Sequence, residues 1–273
     1  MLNLRKLFKK EKPPVFTDVL KDRTKTFIAG HRGWSAAYPE NTLVGFRAAL
    51  EKDIDAIHFD VNLTADKRLV VIHDDTVDRT TNGSGAVNSM TFSEIRTLDA
   101  GSHKSSEFSG EKIPSLEEIC ELVLSHPYLL VVINIQNHTT ETVDLIIEMI
   151  SLYGFLERCL FACSDAAILY YIHKRYALRT QGYRSAAMKN FVPGKKGTYS
   201  YLFAAGLTME ELSPESVYEF EKHDIIPWCY CPKDERDIYL SNICGARMLI
   251  CEDISFALEL LYPEDLENTE NAK

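Results

Sequence analysis

The sequence predicts an α/β protein closed into a TIM-type (β/α)8 barrel, on three observations. Short apolar runs alternate with amphipathic helical stretches in one continuous span from Phe27 to about Tyr262. Eight such runs can be counted, the number that closes a barrel of this kind. No glycine-rich dinucleotide loop follows the first run, which argues against a doubly wound open sheet. The length of 273 residues suits a single barrel.

The elements follow in order. Phe27-Ile28-Ala29-Gly30-His31 is a short apolar run ending in polar residues, the first strand. Asn41 or Thr42 then caps a helix to about Lys52, with Leu43, Phe46, Ala49 and Leu50 on its buried face. Ala56 to Leu63 reads as the second strand and Leu69 to His73 as the third. Residues 75–112 break the rhythm: Asn82-Gly83-Ser84-Gly85 is turn chemistry and periodicity is weak, so this is an insertion after the third strand, riding over one end of the fold. Ser115-Leu116-Glu117-Glu118 matches a capping box and opens a helix to about Leu124. Leu129 to Ile135 is the fourth strand, Thr140 to Leu152 a helix, Cys159 to Cys163 the fifth strand, Asp165 to Lys174 a helix, and Leu178 to Tyr183 the sixth strand. Tyr199 to Leu207 reads either as an additional short strand or as irregular chain. Pro214 starts a helix to about His223, Ile225 to Cys231 is the seventh strand, and Glu235 to Asn242 a helix. Met248 to Cys251 is the eighth strand, with a last helix over Ile254 to Leu261.

Composition bounds the function class. A hydrophobic fraction of 45% with 26% charged residues is ordinary for a soluble globular chain, and a net charge of −10 argues against nucleic acid as a partner. No apolar run reaches bilayer-spanning length, and the N-terminus lacks the apolar core of a secretory signal. Seven cysteines without a Cys-x-x-Cys pair read as free thiols in a reducing cytoplasm. Residues 1–26 form a basic leader before the 27–262 barrel, and 263–273 an acidic, solvated tail. Within residues 1–12, Leu4, Leu7 and Phe8 share one helical face, with Arg5, Lys6, Lys9 and Lys10 largely on the other. This segment is either a loosely docked leader ended by Pro13-Pro14 or a peripheral contact with the inner face of an anionic membrane.

The chemistry gathers between Ala29 and Asp74, because a barrel of this type carries its active site at the C-terminal ends of its strands. His31 ends the first strand and His73 the third, and two histidines can act as base and acid in one displacement because imidazole titrates near neutral pH. Arg32 can fork onto a phosphate. His58 and Asp60 are two apart on the second strand and so face one side, a geometry that Asn134 and Gln136 repeat on the fourth. Inward polar pairs on apolar strands either satisfy one another in a buried network or hold a ligand.

These residues resemble a known family. His31-Arg32-Gly33, Pro39-Glu40-Asn41-Thr42, Asp60-Val61, Val70-Val71-Ile72-His73-Asp74, Asp78-Arg79-Thr80-Thr81-Asn82-Gly83 and Ile113-Pro114-Ser115-Leu116-Glu117-Glu118 occur in the order found in the glycerophosphodiester phosphodiesterases. The resemblance is dense from about Phe27 to Glu118 and returns weakly at Ile226-Pro227-Trp228 and Gly245-Ala246. It implies a TIM barrel that hydrolyses phosphodiesters of glycerol or phospholipid headgroups, with His31 and His73 as the acid/base pair and Arg32 on the phosphate. It also implies a divalent cation, Ca²⁺ or Mg²⁺, held by a Glu-x-Asp on the second strand and a Glu on the fourth followed by a lysine. Here those positions read His58-Phe59-Asp60 and Asn134-Ile135-Gln136, and the usual Thr-Asp near the last strand reads Cys251-Glu252. Three readings stay open: Asp60, with His58 and Asn134, holds a softer ion such as Zn²⁺ or Mn²⁺; a protonated His58 replaces the metal; or the barrel binds headgroups or a protein partner without turnover.

Overall fold

The computed structural model describes residues 25–262, so the expectations for residues 1–12 and for the acidic tail fall outside it. Eight parallel strands close into a barrel: β1 (Phe27–His31), β2 (Ala56–Leu63), β4 (Leu130–Ile135), β5 (Cys159–Ala162), β6 (Thr180–Tyr183), β7 (Ala204–Thr208), β8 (Ile226–Tyr230) and β9 (Met248–Cys251). Closure comes from β1, which pairs with both β2 and β9. Helices α1 (Leu43–Glu51), α3 (Leu116–Leu124), α4 (Thr140–Tyr153), α5 (Ala166–Tyr176), α6 (Pro214–Glu221), α7 (Glu235–Cys244) and α8 (Ile254–Leu261) return the chain outside the sheet. Their starts follow local chemistry: Thr42 caps α1 by accepting from Gly45, and Ser115 and Glu118 form the expected capping box at α3.

Side-chain alternation sorts the strands into two cores. Phe27, Ala29, Ala56, Leu130, Val132, Leu160, Trp228, Met248 and Ile250 fill the barrel interior. Ile28, Ile57, Phe59, Val131, Ile133, Phe161 and Leu249 point outward and pack under the helices with Phe46, Ile146 and Phe220. Polar residues enter the interior at His31 on β1, His58 and Asp60 on β2, Asn134 on β4 and Gln181 on β6.

Two elements differ from the sequence expectation. Leu69–Val71 is a strand, β3, but it runs antiparallel to β2 outside the barrel. The run is apolar on both sides because Leu69 and Val71 pack on the outer core, whereas Val70 and Ile72 pack with Val77, Val87, Ile95, Ala100 and Ile113 in a small core of the insertion. Burial on both faces is the pattern of a central parallel strand, which is how β3 mimics one. The missing barrel strand is β7, within the ambiguous stretch. Its residues, Ala204-Ala205-Gly206-Leu207-Thr208, carry weak strand propensity, and no α-helix separates it from β6. A Cβ at Gly206 would lie 2.5 Å from the ring of Tyr230, so the small residue is what lets that ring cross the barrel mouth.

The insertion carries a short helix, α2 (Phe92–Ile95), and reaches the barrel rim, where Lys104 donates to the carbonyls of Ser35 and Ala36. All seven cysteines are unpaired. Among the described residues no helix is long and apolar enough to cross a membrane.

The turn after β1 yields a test of packing against backbone strain. Gly33 and Gly154 both have positive φ, at 87° and 76°, but an added Cβ at Gly33 would meet the backbone of Gly45 at 2.7 Å and one at Gly154 would meet nothing within 4 Å. Both alanine variants lose the backbone term of about 1–2 kcal/mol, and Gly33→Ala loses about 1–3 kcal/mol more by overpacking. Urea unfolding of the two variants should therefore rank Gly33→Ala as clearly the less stable.

Candidate active site

Strand register builds the site. His31 is opposite His58 across β1 and β2, and Asp60 is opposite Asn134 across β2 and β4. His73 arrives differently from the expected strand end. β2 overhangs the barrel, its last residues pair with β3 running back, and the returning chain delivers His73 to the rim two residues after the strand stops. A cavity of about 260 Å³ opens there, lined on one side by His31, Arg32, His58, His73 and Asn134. Tyr183, Leu207, Thr208 and Tyr230 form the other wall. The five sequence-predicted residues thus share one cavity, with Asp60 beneath it, fully buried.

A chain of alternating charges frames it. Arg32 Nη1 donates to Glu40 Oε1 at 2.8 Å, and its Nε lies 3.2 Å from Asp60 Oδ2, close enough for an ion pair but off the line of a hydrogen bond. Glu40 receives both Nη atoms of Arg79 at 2.7 and 2.8 Å. Arg79 also donates to both oxygens of Asp74, at 2.8 and 2.9 Å, and Asp74 Oδ1 is 2.7 Å from His73 Nδ1. Asp60, Arg32, Glu40, Arg79, Asp74 and His73 are therefore linked in sequence. The Arg79 hydrogen bond, with His73 adding to it, holds the Asp74 carboxyl well below the usual carboxylate range against a desolvation penalty. At His31 the ring's Nδ1 faces Cys231 Sγ at 3.4 Å and Glu252 Oε1 at 3.7 Å.

Both oxygens of Asp60 are occupied. Oδ1 accepts from Asn134 Nδ2 at 2.8 Å and from Gln136 Nε2 at 2.9 Å, and Oδ2 accepts from Asn41 Nδ2 at 2.9 Å beside Arg32. Burial opposes ionisation of this carboxyl, yet His58, charged only in the acid range where Asp60 itself titrates, together with Arg32 and the Asn41 amide holds it well below its ordinary range. His58, 1% exposed, has no partner at either ring nitrogen. Burial lowers its pKa to about 3 despite the pull of Asp60, so it is a neutral imidazole at pH 7 and not the cation of the metal-substitute reading.

This donor set does not fit the divalent cation that the resemblance implies. A hard ion needs several free anionic or carbonyl oxygens. Here the one carboxylate at that position accepts from three amides and is paired in charge with Arg32, and Asn134 and Gln136 turn their donor ends toward it.

Several functional candidates were not singled out from the sequence. Glu40, Asn41, Asp74 and Arg79 sit inside the quoted motifs, which was signal enough to mark them but not to pair them. Tyr183 and Tyr230 close the far wall, with Gln181 Nε2 donating to the Tyr230 hydroxyl at 2.8 Å. Nothing in the strand pattern marks them, since aromatic residues are ordinary in strands. Cys231 meets His31 only because the barrel closes.

Comparison with known proteins gives a consistent relation. Residues 31–244 match the model of the glycerophosphoryl diester phosphodiesterase family. A glycerophosphodiester phosphodiesterase of Caldanaerobacter subterraneus subsp. tengcongensis is 43% identical over 143 residues, covering 50% of this chain and 58% of that protein. Human glycerophosphodiester phosphodiesterase 1 is 36% identical over 133 residues, 48% of this chain and 40% of that protein. The chain thus spans about half the length of the curated relatives it matches. Among solved structures, a phosphodiesterase of Oleispira antarctica in complex with the product sn-glycerol-3-phosphate shares the fold with a TM-score of 0.72 at 20% identity, covering 91% of this chain and 98% of that one. A glycerophosphodiester phosphodiesterase of Agrobacterium tumefaciens aligns with a TM-score of 0.70 at 22% identity, covering 85% and 98%.

The unpartnered His58 sets a pH dependence of stability. Its folded pKa of about 3 lies below the ordinary 6.5, so below pH 6.5 the unfolded chain binds a proton that the folded chain refuses. Stability therefore falls as pH drops from 6.5 toward 3, by about 1 kcal/mol per pH unit. Asp60 acts in a lower window: its folded pKa is depressed, so its contribution is intact above the ordinary 3.8 and lost as pH falls through the folded value. His58→Leu removes the first effect and weakens the second, which draws on His58, but only the first acts between pH 7 and pH 5. In urea melts at pH 7 and pH 5, the drop in unfolding free energy should be smaller in His58→Leu than in the parent by about 2 kcal/mol.

Proposed function

The chain belongs to the glycerophosphoryl diester phosphodiesterase family, and we propose that it hydrolyses the phosphodiester of a glycerol-linked headgroup by paired histidine chemistry, with no divalent cation at Asp60. The observation that carries this reading is the convergence of His31, His73 and Arg32 on one cavity above a carboxylate that its own neighbours have saturated.

The phosphodiester anion sits against Arg32, whose Nη1 and Nε are engaged with Glu40 and Asp60, so that Nη2 is the nitrogen left for a phosphate oxygen. Asn134 and the Tyr183 and Tyr230 side of the cavity bound the rest of the ligand. His73 is the base: Asp74 at 2.7 Å holds its Nδ1 proton and leaves Nε2 as the basic nitrogen. It takes a proton from water as the water oxygen bonds to phosphorus. His31 is the acid, giving its Nε2 proton to the alkoxide oxygen as the phosphorus–oxygen bond breaks. The products are an alcohol and a phosphomonoester, and the proton gained by His73 returns to His31 through solvent. That the Oleispira antarctica enzyme holds sn-glycerol-3-phosphate supports a product of this size in a cavity of about 260 Å³.

The test is turnover of glycerophosphodiesters by the purified full chain. Activity is expected to survive EDTA, and His31→Ala and His73→Ala each to lower kcat by roughly 10²–10⁴-fold. Rebuilding the family's cation ligands as His58→Glu, Asn134→Glu and Gln136→Lys together is expected to make turnover depend on Ca²⁺ or Mg²⁺. Turnover of the parent protein that is abolished by EDTA and restored by Ca²⁺ overturns the cation-free reading. No turnover under any condition leaves a headgroup-binding barrel.

A further inference from the structure

We propose that His31, Cys231 and Glu252 form a binding site for one thiophilic divalent cation of the Zn²⁺ class, on the opposite side of His31 from the catalytic cavity. Among the described residues, they are the group of His, Cys and carboxylate donors whose ligand atoms all lie within 4.8 Å of one another. Each comes from a different strand end: His31 ends β1, Cys231 follows β8, and Glu252 follows β9. The three positions are thus set by adjacent strands of the closed barrel. Cys231 is further fixed by its amide, which donates to Ile250 at 2.8 Å, and by a left-handed backbone with φ 55°, a conformation that a non-glycine residue keeps only where surroundings enforce it.

The spacing sets this trio apart from a nucleophile–histidine–carboxylate relay. In a nucleophile–histidine–carboxylate relay the two partners engage different ring nitrogens, whereas here sulfur and carboxylate both face Nδ1. That nitrogen carries at most one proton, and 3.7 Å to Glu252 is longer than a hydrogen bond. Tetrahedral zinc with sulfur, imidazole and carboxylate ligands separates its donor atoms by about 3.3–3.6 Å, from metal–ligand distances of about 2.0–2.3 Å. The observed 3.4 and 3.7 Å are close to two edges of that tetrahedron.

The mixed donor set selects the ion. Thiolate and imidazole favour Zn²⁺ and its borderline relatives over Ca²⁺ and Mg²⁺, which want oxygen. Binding displaces the thiol proton to solvent, forms a metal–sulfur bond, and uses the lone pair of a neutral His31 Nδ1. The remaining imidazole proton then sits on Nε2, toward the cavity. There His58, 1% exposed and with neither ring nitrogen bonded, lies 5.1 Å away centroid to centroid, a second polar group that the protein itself leaves unsatisfied. The cation would thus fix the tautomer in which His31 presents a proton to that side. The softer ion that the sequence suggests at His58, Asp60 and Asn134 is better served by this trio, since Asp60 is saturated.

The test reads metal binding directly, so its result is independent of turnover. The full chain, stripped with EDTA and kept reduced, is titrated with Co²⁺ and then Zn²⁺. One equivalent of Co²⁺ is expected to give a thiolate-to-metal charge-transfer band in the near ultraviolet, displaced by Zn²⁺ and unaffected by excess Ca²⁺. Cys231→Ser is expected to abolish the band and weaken Zn²⁺ binding by on the order of 100-fold or more, and Glu252→Gln to keep the band at lower affinity. Cys244→Ser, away from the trio, should change neither. Absence of a thiolate band in the parent protein, or a band that persists in a folded Cys231→Ser, overturns the proposal. If Cys231→Ser does not fold, unchanged Co²⁺ and Zn²⁺ affinity in both His31→Gln and Glu252→Gln overturns it equally, and weakened affinity in both sustains it.

Discussion

The Asp60 carboxylate is the charge to which the mouth of this barrel is fitted. It is fully buried on β2, and an unpaired carboxylate in such a place would cost several kcal/mol even after relaxation. Four groups from two segments meet that demand: Arg32 and Asn41 from the turn after β1, and Asn134 and Gln136 from the end of β4. Arg32 is further held by its backbone, with its amide donating to the carbonyl of His58 and its own carbonyl accepting from Asn41. The guanidinium is thereby pinned at the cavity edge before any phosphate arrives, which removes the ordering cost that a mobile arginine would add to binding.

From Arg32 the order propagates into the insertion. Glu40 is shared by Arg32 and Arg79, and Arg79 reaches Asp74 and through it His73. Exposed ion pairs taken singly contribute little, but here each carboxylate is gripped by two or more donors and each arginine spans two carboxylates. The two proposed proton-transfer residues are consequently not independent. His31 is set by barrel strands, whereas His73 is set by a hairpin and a salt-bridged insertion residue, so motions of the insertion bear on the base and leave the acid in place. The small apolar core around Val70, Ile72, Val87 and Ile95 is what keeps that hairpin rigid enough for the role.

The sequence was most informative where periodicity and local capping agree. The barrel, its flanking helices and the gathering of His31, Arg32, His58, His73 and Asn134 were legible because each strand end carries its own signature, and strand order forces those ends together. What misled was burial. β3 is apolar on both faces because it separates two cores, and β7 is built of small residues because Tyr230 must pass over Gly206. Neither cause is local, so neither is visible in a window of a few residues. The same applies to the site: the partners of Asp60 come from positions 32, 41, 134 and 136, and the neighbour of His31 is two hundred positions away at Cys231.

The substitutions at the cation position make physical sense as a set. A pattern with carboxylates at positions 58, 60 and 134 and a lysine at 136 carries surplus negative charge beside Arg32, and such a site is at rest only with a cation in it. Replacing these by an imidazole and two amides leaves one carboxylate facing one guanidinium, a locally neutral arrangement. The amides do more than remove charge, because Asn134 and Gln136 donate to the oxygen that a metal would have used. Loss of charge by drift alone would leave Asp60 underdonated and buried, an arrangement costing about 1–3 kcal/mol for each unmet group. The saturated network shows instead a site that is stable without an ion at this position. Positive potential for a phosphate then has to come from Arg32 and the histidines, and the one imidazole that remains unsatisfied, His58, is the group whose environment a bound anion would change most.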